Sequence, residues 1–156
     1  MDPASSPMGH RRDPGHDDRV DVGVGLVVFG AHMGGEPLNH QLVALGARYD
    51  ADVHTAPDYR MYAQPTTPPK PAVVAVAPGT GAALPGERWL LSPAALGTFL
   101  AALPAPMALG RVTLADGTTC VGFLAAASAT ASAPDITDAG GWRPHLARRA
   151  GRAWRA

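Results

Sequence analysis

The chain has a single cysteine, Cys120, among its 156 residues, which excludes an internal disulfide. Cys120 lies in a strand-like run and reads as a buried structural thiol with no activating neighbour. Aromatic residues are scarce at 6%, so the core must be built from Ala, Val and Leu. Neither sign of charge is in excess. With 13 Lys+Arg against 13 Asp+Glu, a nucleic-acid partner is not expected. No run is long and apolar enough to span a membrane, and no apolar signal region follows the N-terminus. The expectation is a cytoplasmic chain with no membrane partner. The six His are not clustered at metal-ligand spacing, so neither a metal nor a cofactor is expected. There is no G-x-G-x-x-G and no G-x-S-x-G, which removes the dinucleotide fingerprint and the serine elbow.

What the chain does have is punctuation: 18 Gly and 16 Pro, hence many turns with short elements between them. Residues 1–19 mix Pro, Gly, Ser, His and both charges and read as a disordered leader. Residues 20–150 read as one domain and residues 151–156 as a frayed tail. Val20–Phe29 is a strand whose second half is continuously apolar, as in a strand buried on both faces. The turn Gly30–Pro37 follows, then a helix over Asn39–Leu45 that Gly46 stops. Arg48–Thr55 alternates as a strand with Tyr49, Ala51 and Val53 on one face. Short strands are expected at Tyr59–Ala63, Ala72–Ala77 and Glu87–Leu91, with a loop over Pro78–Gly86. Ser92 is an N-cap with Pro93 at the first helical position, and the helix runs to about Leu103 on a stripe of Leu96, Phe99, Leu100 and Leu103. Arg111–Leu114 and Cys120–Leu124 flank Asp116-Gly117, a hairpin signal. Ala125–Ala133 reads as a strand continuation. Asp135 and Thr137 cap a turn, Trp142 covers the core edge, and a helix follows Pro144. Six or seven short strands and two or three helices without βαβ alternation give an α+β fold. Its sheet is mostly antiparallel, strongly curled or closed into a small mixed β-barrel, with peripheral helices.

Two constellations bear chemistry. The first is Gly30-Ala31-His32-Met33-Gly34-Gly35, where a strand ends in a turn. Such a turn can expose N–H groups to a small anion, with His32 as acid or base. Its plainer reading, glycines serving backbone geometry and His32 on the surface, is favoured by local physics alone. The second is Tyr59-Arg60-x-Tyr62, which puts Arg60 and Tyr62 on one side of a strand as anion donor and hydroxyl. Lys70 can add a second cation. An exposed strand face with a solvated Arg explains the same pattern equally well.

Several motifs occur in order from about Val22 to Ala147. They are Phe29-Gly-Ala-His-Met33, Pro37-Leu-Asn-His-Gln-Leu42, Thr55-Ala-Pro-Asp-Tyr-Arg-Met-Tyr62, Pro68-Pro-Lys-Pro71, Pro93-Ala-Ala-Leu-Gly-Thr-Phe99, Pro104-Ala-Pro106 and Asp135-Ile-Thr137 with Gly140-Gly-Trp-Arg143. Together they resemble the C-terminal domain of allophanate hydrolase. The resemblance implies a γ-glutamylcyclotransferase-like fold, a small mixed barrel with helices. It also implies a glutamate near the end of the Pro93–Leu103 helix for cyclotransferase chemistry. Ala101 and Ala102 stand there, and no Glu follows Glu87, so that chemistry is not expected. The implied reaction is decarboxylation of N-carboxycarbamate, or of a similar small anionic carboxylate, in urea and allophanate breakdown. His32 would deliver a proton or hold the anion as imidazolium. Gly30, Ala31, Met33, Asn39, Arg60, Tyr62 and Lys70 would bind substrate. The amidase half of such enzymes is absent from this chain, so the chain is not an amidase by itself. A separate amidase chain is an implied partner, beside the small anionic substrate. Two alternatives are a non-catalytic assembly module and a cyclotransferase-like protein acting on another substrate.

Overall fold

A computed structural model describes residues 23–155. The expected leader lies outside the described residues. Seven strands and three α-helices follow one another as β1 (Val24–Val28), α1 (Asn39–Ala44), β2 (Arg48–His54), β3 (Tyr59–Gln64), β4 (Lys70–Ala75), β5 (Pro85–Leu91), α2 (Pro93–Ala101), β6 (Met107–Thr113), β7 (Thr119–Ala125) and α3 (Trp142–Ala153). Five strands form one sheet in the order β2-β5-β1-β7-β6, and β3 pairs with β4 in a second, two-stranded sheet. All pairs are antiparallel except β1 with β7. β1 is central, which explains its apolar second half: Leu26, Val27 and Val28 are buried against partners on both edges.

The sheet is strongly curled but does not close into a barrel. Its edge strands β2 and β6 meet at one isolated bridge, Thr55 with Leu114. Two backbone bonds flank it, Ala56 N–H to the Thr113 carbonyl and Ala115 N–H to the His54 carbonyl, each 2.9 Å. A bulge between Tyr49 and Ala51 breaks the register of β2, and its first three residues stay exposed instead of completing a seam. The β3–β4 hairpin packs beside this opening. Met61 and Val73 are buried, and the Tyr59 hydroxyl accepts the Thr113 N–H at 2.8 Å.

Several local expectations shift. The β2 bulge undoes strict alternation and leaves Tyr49 52% exposed. The Asp-Gly turn forms as read: Asp116 Oδ1 accepts the Thr118 N–H at 2.9 Å, and Gly117 takes a positive φ of 83°. The strands are longer at their starts than read, β4 beginning at Lys70, β5 at Pro85 and β6 at Met107. After Ala125 the chain leaves the sheet and makes a 3-10 turn over Ala127–Thr130. Ser92 caps α2, its Oγ accepting the Ala95 N–H at 3.1 Å, but Leu100 points outward at 52% exposure and only Phe99 of that helix is buried. α3 starts at Trp142, before Pro144, and continues past Gly151 to Ala153. Cys120 is half-buried, and burial pushes its thiol pKa up, which keeps it protonated.

Candidate functional site

β1 delivers the chain into the turn that carries His32. The Met33 N–H closes it on the Gly30 carbonyl at 2.9 Å, and the Leu38 N–H binds the Ala31 carbonyl at 2.7 Å. Asn39 Nδ2 donates to the His32 carbonyl at 2.9 Å. Asn39 therefore fastens the turn with one of its two amide N–H groups. Met33 is in the same position: its N–H is used, and its side chain is buried on the far side of the turn, beside Glu87, Trp142 and Arg143. Among the described residues, the N–H groups of Ala31 and His32 have no acceptor. Gly30 is required by packing, because a Cβ there would sit 2.2 Å from Pro71 Cγ and Cδ.

His32 is 5% exposed, not a surface residue. Its ring meets Phe99 edge-on at 5.4 Å between centroids and Phe123 at 5.0 Å. Burial is the main cause that lowers its pKa below 6.5. A hydrogen bond to Gln41 opposes the shift, while the charge of Lys70 adds to it. The ring is therefore neutral at pH 7. Nε2 lies 2.8 Å from Gln41 Oε1. With the amide oxygen as acceptor, the proton sits on Nε2 and Nδ1 keeps its lone pair. Gln41 belongs to none of the constellations that the sequence marks. Its signal is the helical start at Asn39, which puts it on the turn of α1 that overhangs residue 32.

His32 and Lys70 line two spaces, and Phe123 borders both. One is a small niche of about 10 Å3, bounded also by Gly30, Ala31, Pro71 and Phe123. The other is an open groove of about 390 Å3 between α1 and α2, whose walls include Leu38, Leu45, Phe99 and Leu103. Ala102 lies in that groove wall, so the end of α2 contributes no carboxylate to it.

Arg60 and Tyr62 do not join this group. In the β3–β4 register Arg60 and Tyr62 pair with Val74 and Ala72, and neither lines the niche or the groove, whereas Lys70 at the far end of β4 lines both. Arg60 instead donates to Asp135 Oδ2 at 2.6 Å. Asp135 Oδ1 also accepts the Thr137 N–H at 2.9 Å, and Thr137 Oγ1 accepts the Met61 N–H at 3.0 Å. Asp135 and Thr137 thus have the turn-forming roles read for them, and Asp135 in addition claims Arg60. Of the eight residues singled out, the structure brings Gly30, Ala31, His32 and Lys70 to one niche, uses Met33 and Asn39 to build the turn, and leaves Arg60 and Tyr62 elsewhere.

Among the described residues no helix is long and apolar enough to cross a membrane, and no group of three or more His, Cys, Asp or Glu is placed to hold a metal ion. Urea amidolyase of Lachancea kluyveri is 31% identical over 136 residues, which are 85% of this chain and 7% of that protein. An S177A allophanate hydrolase of Kluyveromyces lactis superposes with a TM-score of 0.75 at 34% identity, over 80% of this chain and 21% of that one. A protein described as specific to uropathogenic E. coli, c4763, superposes at 0.73 and 30% identity, over 80% of this chain and 95% of that one. A mouse AIG2-like protein, at 15% identity and a TM-score of 0.59, shares the fold alone, which is γ-glutamylcyclotransferase-like. The chain thus spans a small fraction of the curated relative and nearly all of c4763. The family model for the allophanate hydrolase C-terminal domain matches residues 24–147, and this chain belongs to that family.

Proposed function

We propose that the chain binds a small carboxylate at the His32–Lys70 niche and decarboxylates it, with N-carboxycarbamate of urea and allophanate breakdown as the substrate. The observation that carries this reading is that Ala31 and His32, whose N–H groups have no acceptor among the described residues, line one niche with Lys70, and that the buried His32 ring is neutral. Lys70 and the N–H groups of Ala31 and His32 hold the carboxylate that is retained. The carboxylate that is lost lies toward Phe99 and Leu103. Those walls cannot solvate its charge, but they accept neutral carbon dioxide.

The step balances with one proton. The carbon–nitrogen bond breaks, its electron pair stays on nitrogen, and a proton is added there to give carbamate and carbon dioxide. The Lys70 ammonium is the donor and is recharged from solvent. His32, neutral and with Nδ1 bare, accepts the substrate N–H and orients it. This replaces the proton-donating and imidazolium roles expected from the sequence, because burial favours the uncharged ring.

The test is carbon dioxide release when an amidase generates the substrate in situ. The expected result is faster release with the chain than without it, lost in both His32→Ala and Lys70→Ala. Release no faster than the spontaneous rate would overturn the reading. A second reading, an accessory module seated on an amidase chain, is favoured by Val43 and Leu100. These lie on the helices that wall the groove and are 55% and 52% exposed. It requires that the chain raise amidase turnover without changing decarboxylation.

A further inference from the structure

The turn that carries His32 is gripped from its far side by a cluster that the proposed chemistry does not use. Gly34, two residues after His32, has both backbone polar groups engaged by side chains. Its N–H donates to Glu87 Oε2 at 2.7 Å, and its carbonyl accepts from Arg143 Nη2 at 2.7 Å. The same Nη2 donates to Glu87 Oε1 at 2.9 Å, and Arg143 Nε donates to Glu36 Oε1 at 3.3 Å. The Trp89 indole N–H completes the coordination of Glu87 at 3.0 Å. Glu87 is 6% exposed, so its charge is tolerable only while these donors are in place. The neighbour of Arg143, Trp142, is buried under the turn: a Cβ on Gly30 would come 3.4 Å from its Cγ.

Two distant segments, β5 and α3, thus converge on two atoms of Gly34. The carboxylate holds its donor and the guanidinium its acceptor, and each holds the other. A backbone unit fixed at both ends cannot rotate, and the N–H vectors of the preceding residues are set with it. We propose that Arg143 and Glu87 are positioning residues, clamping Gly34 so that the N–H groups of Ala31 and His32 stay at the niche they share with Lys70. The inference rests on the reading of that niche as an anion site. It makes α3, through its second residue, part of the site without touching the ligand.

The test uses the full chain labelled with 15N and malonate as the probe, a stable dicarboxylate of similar shape to the proposed substrate. The expected result for Arg143→Ala is a shift of the Ala31 and His32 amide signals in the free protein. Malonate affinity should fall roughly 10- to 100-fold, the range a small misplacement of a binding group produces. Arg143→Lys should be intermediate, because one ammonium cannot serve Gly34, Glu87 and Glu36 together. Glu87→Gln should be milder than Arg143→Ala, since an amide oxygen still accepts the Gly34 N–H. A folded Arg143→Ala with a lower Tm, wild-type amide signals at Ala31 and His32 and unchanged malonate affinity would overturn the proposal. If Arg143→Ala does not fold, unmoved Ala31 and His32 signals in Arg143→Lys would overturn it. Failure of wild type to bind malonate would count against the niche, while the signals of the free variants would still judge the clamp.

Discussion

His32 is the residue whose environment decides most. Burial lowers its pKa from 6.5, so in the pH range just below 6.5 the unfolded chain binds more protons at this group than the folded one. Stability is therefore full above pH 6.5 and falls as the pH drops through that window, until the folded ring also protonates. A 13C or 15N titration of His32 should give a midpoint below 6.5, and His32→Gln should flatten the acid side of the stability profile relative to wild type. Arg60 is the contrasting case. Its partner Asp135 is also partly exposed, the two side chains being 41% and 34% accessible, so solvent screens the ion pair and it contributes little to stability. Arg60→Ala should leave carbon dioxide release at the wild-type rate and lower the denaturation midpoint only slightly. The pleat correctly put Arg60 and Tyr62 on one side of β3. Which way that side faces depends on Asp135, 75 residues further on, and strand alternation carries no information about that. His32 was legible as a residue of interest from its glycine-flanked turn, but its burial was not. Phe99 and Phe123, which enclose it, come from α2 and β7.

At the scale of elements, local chemistry was most legible where one residue type does one job. Ser92 followed by Pro93 marks the start of α2, and its Oγ does accept the Ala95 N–H. Ser92→Ala should therefore cost about 1 kcal/mol, read by chemical denaturation. The end of that helix was less legible, because its apolar stripe is wider than its buried face and Leu100 stays exposed. The β2 bulge was invisible for a related reason: register is fixed by the partner strand β5, which meets Tyr49 with Trp89 and Ala51 with Arg88. At the end of β1, the sequence marks Gly30 as a turn residue, whereas its tightest constraint is Pro71 on β4. Gly30→Ala would force the β4 end and the turn apart. It should destabilise by about 1–3 kcal/mol, as overpacking does, and lower the Tm.

For the whole molecule, the α+β class and the mostly antiparallel pairing followed from the absence of βαβ alternation and the Asp-Gly hairpin. Closure did not. Whether a curled sheet seals depends on whether its two edges can form a ladder, and here β2 and β6 reach each other only around Thr55 and Leu114. The curl leaves β1 central, aims its turn at the mouth of the α1–α2 groove, and brings Lys70 from the start of β4 to the same place. The location of the anion is the claim on which the functional reading stands. It is tested most directly by mapping backbone amide shifts of the wild-type chain while malonate is added. The expected result is a saturable change centred on Ala31, His32 and Lys70, with Arg60 and Tyr62 unmoved. Saturable changes centred on Arg60 and Tyr62, or none at Ala31 and His32, would contradict it.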